Sequence, residues 1–148
     1  MEKVRIEIHA LSNNYIIPHY ASDEASGMDL YACIEEDVTI LPMQWKLIPT
    51  GFAMSLNPGY EAQIRPRSGL ALEHGITVLN SPGTIDSDYR GEVKILLINL
   101  GNNSFKIQPK MRIAQMIINK VFRGDIQIVD SLKESSRGSG GFGSTGKL

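Results

Sequence analysis

The stretch WKLIPTGFAMSLNPGYEAQI, from Trp45 to Ile64, decides the fold class. It contains three short runs of β-branched, aromatic and aliphatic residues, and Pro49 and the Asn-Pro-Gly turn at 57–59 separate these runs. Runs of this length between turn residues are typical of strands in an all-β sandwich or barrel. We therefore predict an all-β domain, with Trp45 in its core. Seven similar runs lie outward along the chain, at residues 4–8, 38–41, 76–79, 93–98, 104–107, 112–118 and 125–129.

Two segments require a choice between helix and strand. Residues 68–74 (SGLALEH) predict a short helix that Gly75 closes in the C′ position. Residues 112–120 could form a helix by composition, but their Ile and Met pairs lie between two strand-like runs, so we predict a strand. From residue 131 onward Gly and Ser are frequent, which predicts a flexible arm that leaves the domain.

Size and composition indicate one globular domain. The chain has 148 residues, of which 42% are hydrophobic and 21% charged, and these are ordinary values for such a domain. The net charge of −1 offers no basic face for duplex nucleic acid, so we expect no nucleic-acid partner. There is no apolar run of 18 residues and no apolar signal core near Met1, so we expect no membrane partner and a cytoplasmic location. The lone cysteine, Cys33, excludes an internal disulfide, and we expect a buried, inert thiol.

The segment NSPGTIDSDYRGEV, residues 80–93, contains more candidate catalytic and binding side chains than any other segment. It is a polar loop between two strand-like runs, and therefore a hairpin or the rim of a pocket. Asp86 follows Ile85, and a partly desolvated carboxylate in such a setting can act as a general base toward water. The alternative is ordinary turn chemistry, because Asp86 and Asp88 are of a residue type that favours turns.

The segment RPRSGLA, residues 65–71, has the parts of a phosphate clamp. Arg67 offers a rigid fork of donors and Ser68 a hydroxyl, while Gly69 frees a backbone N–H at the start of the predicted helix. The alternative is an N-cap serine beside a solvated arginine.

Two polar residues stand among apolar neighbours. Asp29, in ASGMDLYA, and Gln115, in RIAQMI, each need a partner if they are buried. An arginine or a core hydrogen bond could satisfy them as well as a ligand could. The three histidines are scattered and match neither a zinc pattern nor a Ser-His-Asp arrangement, so we expect structural or surface roles for them.

The tail RGSGGFGSTGKL, residues 137–148, has the composition of a phosphate cradle. Its glycines allow the backbone N–H groups to form an anion-binding nest. Gly141 to Lys147 begins like a P-loop, but Leu148 stands where that motif needs Ser or Thr before a helix. The alternatives are a frayed terminus and a segment that reaches a site built by other residues.

Taken together, these segments resemble the trimeric dUTPase family, the deoxyuridine triphosphate nucleotidohydrolases. Five motifs of that family stand in order between Ala25 and Gly146: ASGMDLYA, PRSGLA, NSPGTIDSDYRGEV, RIAQMI and RGSGGFGSTG. The resemblance implies a distorted jelly-roll-like β-barrel at residues 1–130, with a short helix after Ser68. It also implies that the flexible arm at residues 131–148 closes the active site.

The resemblance implies an enzyme that hydrolyses dUTP to dUMP and pyrophosphate, with Mg²⁺ bridging the triphosphate. This reaction would remove dUTP from the nucleotide pool and supply dUMP for dTMP synthesis. The implied assembly is a homotrimer with three interfacial active sites. Asp86 would be the general base that orients water for attack on the α-phosphorus, and Asp29 would lie near the water shell of the metal or pair with a structural arginine.

The family motifs also imply substrate contacts. Tyr89 would pack under the deoxyribose and leave no room for a ribose 2′-hydroxyl. The remaining contacts fall into three groups: Asn80 with the backbone of Thr84, Ile85 and Lys94 for the uracil and sugar; Arg67, Ser68, Gly69 and Gln115 for the phosphates; and, in the tail, Arg137 for the γ-phosphate, Phe142 for stacking on uracil, and Gly143, Ser144 and Thr145 for closing the phosphate pocket.

Two rival functions share this fold. A dCTP deaminase would need proton transfer at the pyrimidine amine, with no water-positioning aspartate beside the α-phosphate. A non-catalytic nucleotide-binding or signalling protein would need neither Asp86 nor the complete tail, and both are present here.

Overall fold

The computed structural model describes residues 2–146, and these form eleven strands and one short helix. The predicted all-β class is confirmed. The elements in chain order are β1 (Ile6–Ala10), β2 (His19–Tyr20), β3 (Met28–Tyr31), β4 (Val38–Ile40), β5 (Trp45–Leu56), β6 (Tyr60–Arg65), α1 (Ser68–His74), β7 (Ile76–Val78), β8 (Gly83–Asp86), β9 (Glu92–Asn99), β10 (Phe105–Ile107) and β11 (Arg112–Lys120).

The strands form two large antiparallel sheets and one small one. The four-stranded sheet has the order β1-β5-β9-β7, the five-stranded sheet has the order β2-β3-β11-β6-β8, and β10 pairs with β4. The core lies between the large sheets, with Leu30 and Met116 contributed by one and Ile95 and Leu97 by the other. The architecture is jelly-roll-like, as expected, but the sheets of the described residues do not close into a barrel.

Two segments follow the sequence pattern closely. The segment 112–120 is a strand, as predicted, and it buries Ala114 and Met116 on its core side. The helix α1 covers the predicted residues, and Gly75 closes it with φ 68° and a hydrogen bond from its N–H to the Ala71 carbonyl at 3.0 Å. Its N-cap is Arg67 rather than Ser68, and no side chain caps it.

The strand β5 joins two runs that the sequence separated at Pro49. Proline is tolerated there because the pairing of β5 with β9 is irregular between Pro49 and Ala53, and a bulge does not need every backbone N–H. Gly51 lies within the bulge with φ 78°, where an added Cβ would meet the Cys33 Sγ at 2.6 Å. The bulge therefore fixes glycine at this position and leaves Cys33 only partly buried.

Two sequence expectations are wrong. Trp45 is 58% exposed, because it lies on the outer face of β5 rather than in the core. Residues 125–129 form no strand within the described chain, although their apolar alternation predicts one. Ile126 and Ile128 are 87% and 98% exposed, so the segment has its apolar residues but no sheet neighbour to cover them.

Beyond β11, residues 121–146 hold no helix or strand. The predicted arm at residues 131–148 lies in this region, and Lys147 and Leu148 fall outside the described residues. The described helix is too short and too polar to cross a bilayer.

Candidate active site

A first cavity, here called the clamp cavity, has a volume of about 310 Å³. It lies where β3, β11 and the start of α1 meet, so that three of the quoted motifs converge. The polar side chains in its lining are those of Ser26, Asp29, Arg67, Ser68, Arg112 and Gln115.

Asp29 is the charged centre of the clamp cavity. It is 9% exposed, and its two carboxylate oxygens each face a different arginine. The Oδ1 atom lies 3.4 Å from Arg67 Nε, and the Oδ2 atom lies 3.2 Å from Arg112 Nη1. Arg67 also donates to the Arg112 backbone carbonyl at 3.3 Å. Asp29 therefore orients two guanidinium groups, which leaves a net positive charge beside Ser68 and Gly69.

Gln115 forms the floor of the same cavity. Its Nε2 donates to the Pro66 carbonyl at 3.0 Å, which ties β11 to the loop before α1. A Cβ added to Gly27 would lie 3.3 Å from the Cβ and Cδ of Gln115, so Gly27 lets the amide pack against the backbone of the first motif. The clamp cavity thus presents cations, a hydroxyl and an amide, which is the chemistry that binds phosphate.

A second cavity, here called the base cavity, has a volume of about 410 Å³ and lies on β8, β9 and the loop between them. Asp86 lines it and is exposed. Its remaining lining combines apolar residues with polar and charged ones. The other lining residues are Leu47, Thr84, Ile85, Tyr89, Glu92, Val93 and Lys94.

The loop 86–92 is braced by its own hydrogen bonds. The Tyr89 N–H donates to the Asp86 carbonyl at 3.1 Å, and the Tyr89 hydroxyl donates to the Glu92 carbonyl at 3.1 Å. Arg90 Nη1 donates to the carbonyls of Ser87 at 2.7 Å and Tyr89 at 3.0 Å. Asp86 and Tyr89 are therefore presented by a fixed turn rather than by a loose loop.

Glu92 anchors this loop to the sheet. Its Oε1 accepts the Gly51 N–H at 3.0 Å, and its Oε2 lies 3.7 Å from Lys94 Nζ. Asn80 stands just before β8, and its Nδ2 would lie 3.5 Å from a Cβ added to Gly83. Thr84, Ile85, Tyr89 and Lys94 thus line this cavity, whereas Asn80 is not among its lining residues.

The clamp and base cavities are separate on one chain and share no lining residue. In the sheet register Asp86 pairs with Glu61 and Gln115 pairs with Arg65, four residues further along β6. Four strand residues span about 13 Å and two strand spacings about 10 Å, so the backbones of Asp86 and Gln115 lie about 16 Å apart. Asp29 lies one strand further, since it pairs with Gln115 on the far side of β11.

The side chains of Asp86 and Gln115 lie on the same face of the five-stranded sheet. Ala62 and Ile64 of β6 point into the core, so Glu61 and Arg65 lie on the outer face. Directly opposed residues of antiparallel strands share a face, which places Asp86 and Gln115 there as well.

The tail forms a series of turns. Arg137 Nε donates to the Gly140 carbonyl at 2.8 Å, and Ser144 and Gly146 donate through their N–H groups to the Gly141 and Gly143 carbonyls. Phe142 is fully exposed. The structure therefore does not bring Arg137, Phe142, Gly143, Ser144 or Thr145 to either cavity.

The donor set also bears on metal binding. Among residues 2–146 there is no group of three or more His, Cys, Asp or Glu side chains that could hold a metal ion. Asp29, the carboxylate of the clamp cavity, already faces two arginines. These residues do not fit a cage of protein ligands, but they fit Mg²⁺ that keeps its waters and binds substrate phosphates.

Sequence reasoning gave no role to Arg112, Arg90 and Glu92. All three lie inside quoted motifs, and this position was the one sign in the sequence of a functional role. Their partners, however, are backbone carbonyls and residues distant in sequence, such as Asp29 and Gly51. Only the fold reveals these contacts.

Comparison with known proteins gives one consistent family. The dUTPase family model matches residues 13–146. The deoxyuridine 5'-triphosphate nucleotidohydrolase of Wolinella succinogenes is 54% identical over 147 residues, which cover 99% of this chain and 97% of that protein. The protein of the same name from Nautilia profundicola is 54% identical over 144 residues, which cover 97% of this chain and 100% of that protein.

Solved structures agree in fold. The dUTPase of Staphylococcus bacteriophage 80alpha, solved with dUPNHPP, has a TM-score of 0.81 at 25% identity and covers 97% of this chain and 99% of that chain. A variant dUTPase from phage phi11 of S. aureus has a TM-score of 0.76 at 19% identity and covers 88% and 99% of the two chains. The latter structure is described as containing a structural Mg(II) ion.

Proposed function

This chain belongs to the dUTPase family and hydrolyses dUTP as a dUTP diphosphatase, and we propose that Asp86 is the base of that reaction. Asp86 takes a proton from water, the water oxygen forms a bond to the α-phosphorus, and the bond from that phosphorus to the bridging oxygen breaks. The products are dUMP and pyrophosphate, so the reaction lowers the supply of dUTP and provides dUMP for dTMP synthesis.

The observation that carries this proposal is the separation of two complementary cavities. The clamp cavity has cations for phosphates but no free carboxylate, and the base cavity has the carboxylate but few cations. A base must lie within about one water molecule of the phosphorus attacked. The distance of about 16 Å between the backbones of Asp86 and Gln115 is too large for both to serve one phosphate group on the same chain.

We therefore assign each active site to more than one copy of the chain, in a homotrimer with interfacial sites. The base cavity of one copy faces the clamp cavity of the next. Contact with a second copy would also remove water from Asp86, which is exposed on the single chain. Closing an active site in this way strengthens electrostatic interactions within it.

The base cavity is the nucleoside site. Asn80 and the backbone of Thr84, Ile85 and Lys94 read the uracil and sugar, and Tyr89 packs under the deoxyribose. The support for this assignment is that the lining combines apolar residues with a few polar ones, the mixture that suits a flat, hydrogen-bonding base.

The clamp cavity is the phosphate site. Arg67, Ser68, Gly69 and Gln115 hold the triphosphate, and Arg112 adds a second guanidinium. Preorganised cations of this kind stabilise the charge that develops in phosphoryl transfer. Asp29 fixes both guanidinium groups before the substrate arrives.

The arm at residues 131–148 closes the site over bound nucleotide. Arg137 binds the γ-phosphate, Phe142 stacks on uracil, and Gly143, Ser144 and Thr145 complete the phosphate pocket. In support, Phe142 is fully exposed and the tail makes its hydrogen bonds within itself. Ile126 and Ile128, between β11 and the arm, are exposed on the single chain. They favour a path of the arm over a neighbouring copy, because that copy would cover their apolar side chains.

Mg²⁺ is the proposed cofactor. It would be held by the substrate phosphates and its own waters, with Asp29 of the clamp cavity as an acceptor for one of those waters. When bound, it neutralises phosphate charge and so stabilises the transition state.

One experiment tests the function directly. Pyrophosphate release is measured from dUTP, UTP, dTTP and dCTP in parallel with Mg²⁺ present. We expect release from dUTP alone at a substantial rate. Ammonia released from dCTP would instead favour a deaminase, and nucleotide binding without turnover would favour a non-catalytic protein.

A further inference from the structure

The side chain of Tyr89 lies across its own loop. Its hydroxyl donates to the Glu92 carbonyl, three residues later, at 3.1 Å. Glu92 begins β9, and its carboxylate accepts the Gly51 N–H at 3.0 Å, so the acceptor belongs to the rigid sheet. The ring is 46% exposed and forms part of the lining of the base cavity. The position of the ring is thus fixed at its tip as well as at its backbone.

The space beneath this ring exists because residue 91 is glycine. A Cβ added to Gly91 would lie 2.6 Å from Tyr89 Cζ and 3.0 Å from Cε2, and nearer still to the hydroxyl oxygen. These three Tyr89 atoms are its nearest neighbours. The φ of Gly91 lies outside the left-handed region, so the backbone conformation alone does not require glycine. The requirement is for room under Tyr89.

We propose that Gly91 is a positioning residue that sets the depth of the sugar site through Tyr89. Tyr89 lines the cavity and Gly91 does not, and the atoms nearest to a Cβ at residue 91 all belong to Tyr89, so a side chain there would act on the cavity through the ring. Any side chain at residue 91 would push the ring outward, break its hydrogen bond to Glu92 and take volume from the place of the sugar. This inference rests on the proposed function, in which Tyr89 packs under the deoxyribose.

The proposal predicts a binding defect without a folding defect. The atoms that a Cβ would meet are at the far end of a side chain that can rotate about χ1, so the fold can adjust at little cost. Displacement of a substrate-positioning group by about 1 Å can cost up to about 100-fold. For Gly91→Ala we expect KM for dUTP to rise about 10- to 100-fold, with kcat less affected and the melting temperature unchanged.

The decisive test is a double-mutant cycle with Tyr89→Ala. In the Tyr89→Ala background the Cβ of Gly91→Ala meets none of the ring atoms, so this second substitution should change kcat/KM for dUTP less than about twofold. If Gly91 served only the backbone of the loop, its substitution would lower kcat/KM by the same factor in both backgrounds, and that result would overturn the proposal.

Two controls separate this inference from the proposed function. Gly124→Ala is the matched substitution, since its Cβ would meet no described atom within 4 Å, and it should leave KM unchanged. If wild-type protein releases pyrophosphate from dUTP and Tyr89→Ala raises KM, but Gly91→Ala does not, only the role of Gly91 is wrong. If the wild-type protein fails to hydrolyse dUTP, the proposed function fails first.

Discussion

At the scale of single residues, Asp29 shows how a buried charge prepares a binding site. Its side chain is 12% exposed and faces Arg67 and Arg112 with separate oxygens. A buried carboxylate is stable only while its charged partners are present, here the two arginines. In return it holds these two flexible side chains in one arrangement. In the proposed phosphate site, the two guanidinium groups are thus held in place by an acid that is not itself a proposed phosphate ligand.

Replacing Asp29 should therefore weaken both binding and folding. For Asp29→Asn we expect a higher KM for dUTP and a loss of about 1–3 kcal/mol in the free energy of unfolding, because two guanidinium groups lose their charged partner. Thermal unfolding and steady-state kinetics measure the two effects. Asp37→Asn is the control, since Asp37 pairs with Lys106 at 3.6 Å on the exposed surface and should change neither quantity. An unaltered KM in Asp29→Asn would contradict the positioning role.

Asp86 gives the second prediction at this scale. Asp86→Asn keeps the size of the side chain and removes the base, so kcat should fall about 10²- to 10⁴-fold while nucleotide affinity is retained. Calorimetric binding of a non-hydrolysable dUTP analogue checks the affinity, and pyrophosphate release checks the rate. Asp88→Asn, two residues away in the same loop, should retain most activity. Near wild-type turnover in Asp86→Asn would remove Asp86 as the base.

At the scale of elements, the strands and the helix could be read from the sequence wherever local pattern decides the structure. Gly75 ends α1 and the alternation of Ala114 and Met116 places β11, since each depends on neighbours in the chain. The strands β2, β3 and β8 lie in polar segments that are rich in turn residues and give no strand signal, and they form only by pairing with partners distant in sequence.

Two wrong predictions, for Trp45 and for residues 125–129, concern features that contacts distant in sequence decide. Trp45 is in a strand, as predicted, but alternation does not say which face of a strand a core will cover. Residues 125–129 have strand-like alternation, but they pair with no strand of the described fold, and alternation alone does not supply a partner. In the site, Asp86 and Arg67 could be found by motif, while the pairing of Asp29 with Arg112 needed the register of β3 on β11.

The arm gives a prediction at this scale. Deleting residues 137–148 removes no strand of the described chain, whose last strand ends at Lys120, so the melting temperature should be unchanged. We expect kcat to fall at least about tenfold, since the arm is proposed to close the site and exclude water. Phe142→Ala alone should raise KM for dUTP through loss of stacking on uracil. An unchanged kcat after the deletion would return the tail to the status of a frayed terminus.

At the scale of the whole molecule, the separation of the two cavities is the reason why the proposed mechanism includes the proposed assembly. On one chain the clamp and the base are about 16 Å apart on the same sheet face, and the backbone of β6 runs between them. No hinge in the described residues divides this sheet, so closure within a chain would have to break it. In the proposed homotrimer a second copy would supply the missing half without any such change.

This leads to a complementation test in which two inactive variants restore each other. Asp86→Asn lacks the base and Arg67→Ala lacks the clamp, so each protein alone should be inactive. When the two are unfolded together and refolded as a mixture, some interfaces join the intact clamp of the first variant to the intact base of the second. For random assembly at equal amounts into a cyclic trimer, about a quarter of the sites should be active.

The outcome separates the two possible locations of the site. If clamp and base belong to the same chain, every chain in the mixture carries one defect, and pyrophosphate release should stay at the sum of the separate variants. Refolding each variant alone is the control for activity gained by the procedure, and gel filtration checks that the mixed oligomers form. We expect pyrophosphate release to be highest when the two variants are mixed in equal amounts. At that ratio an intact clamp of one variant lies most often beside an intact base of the other.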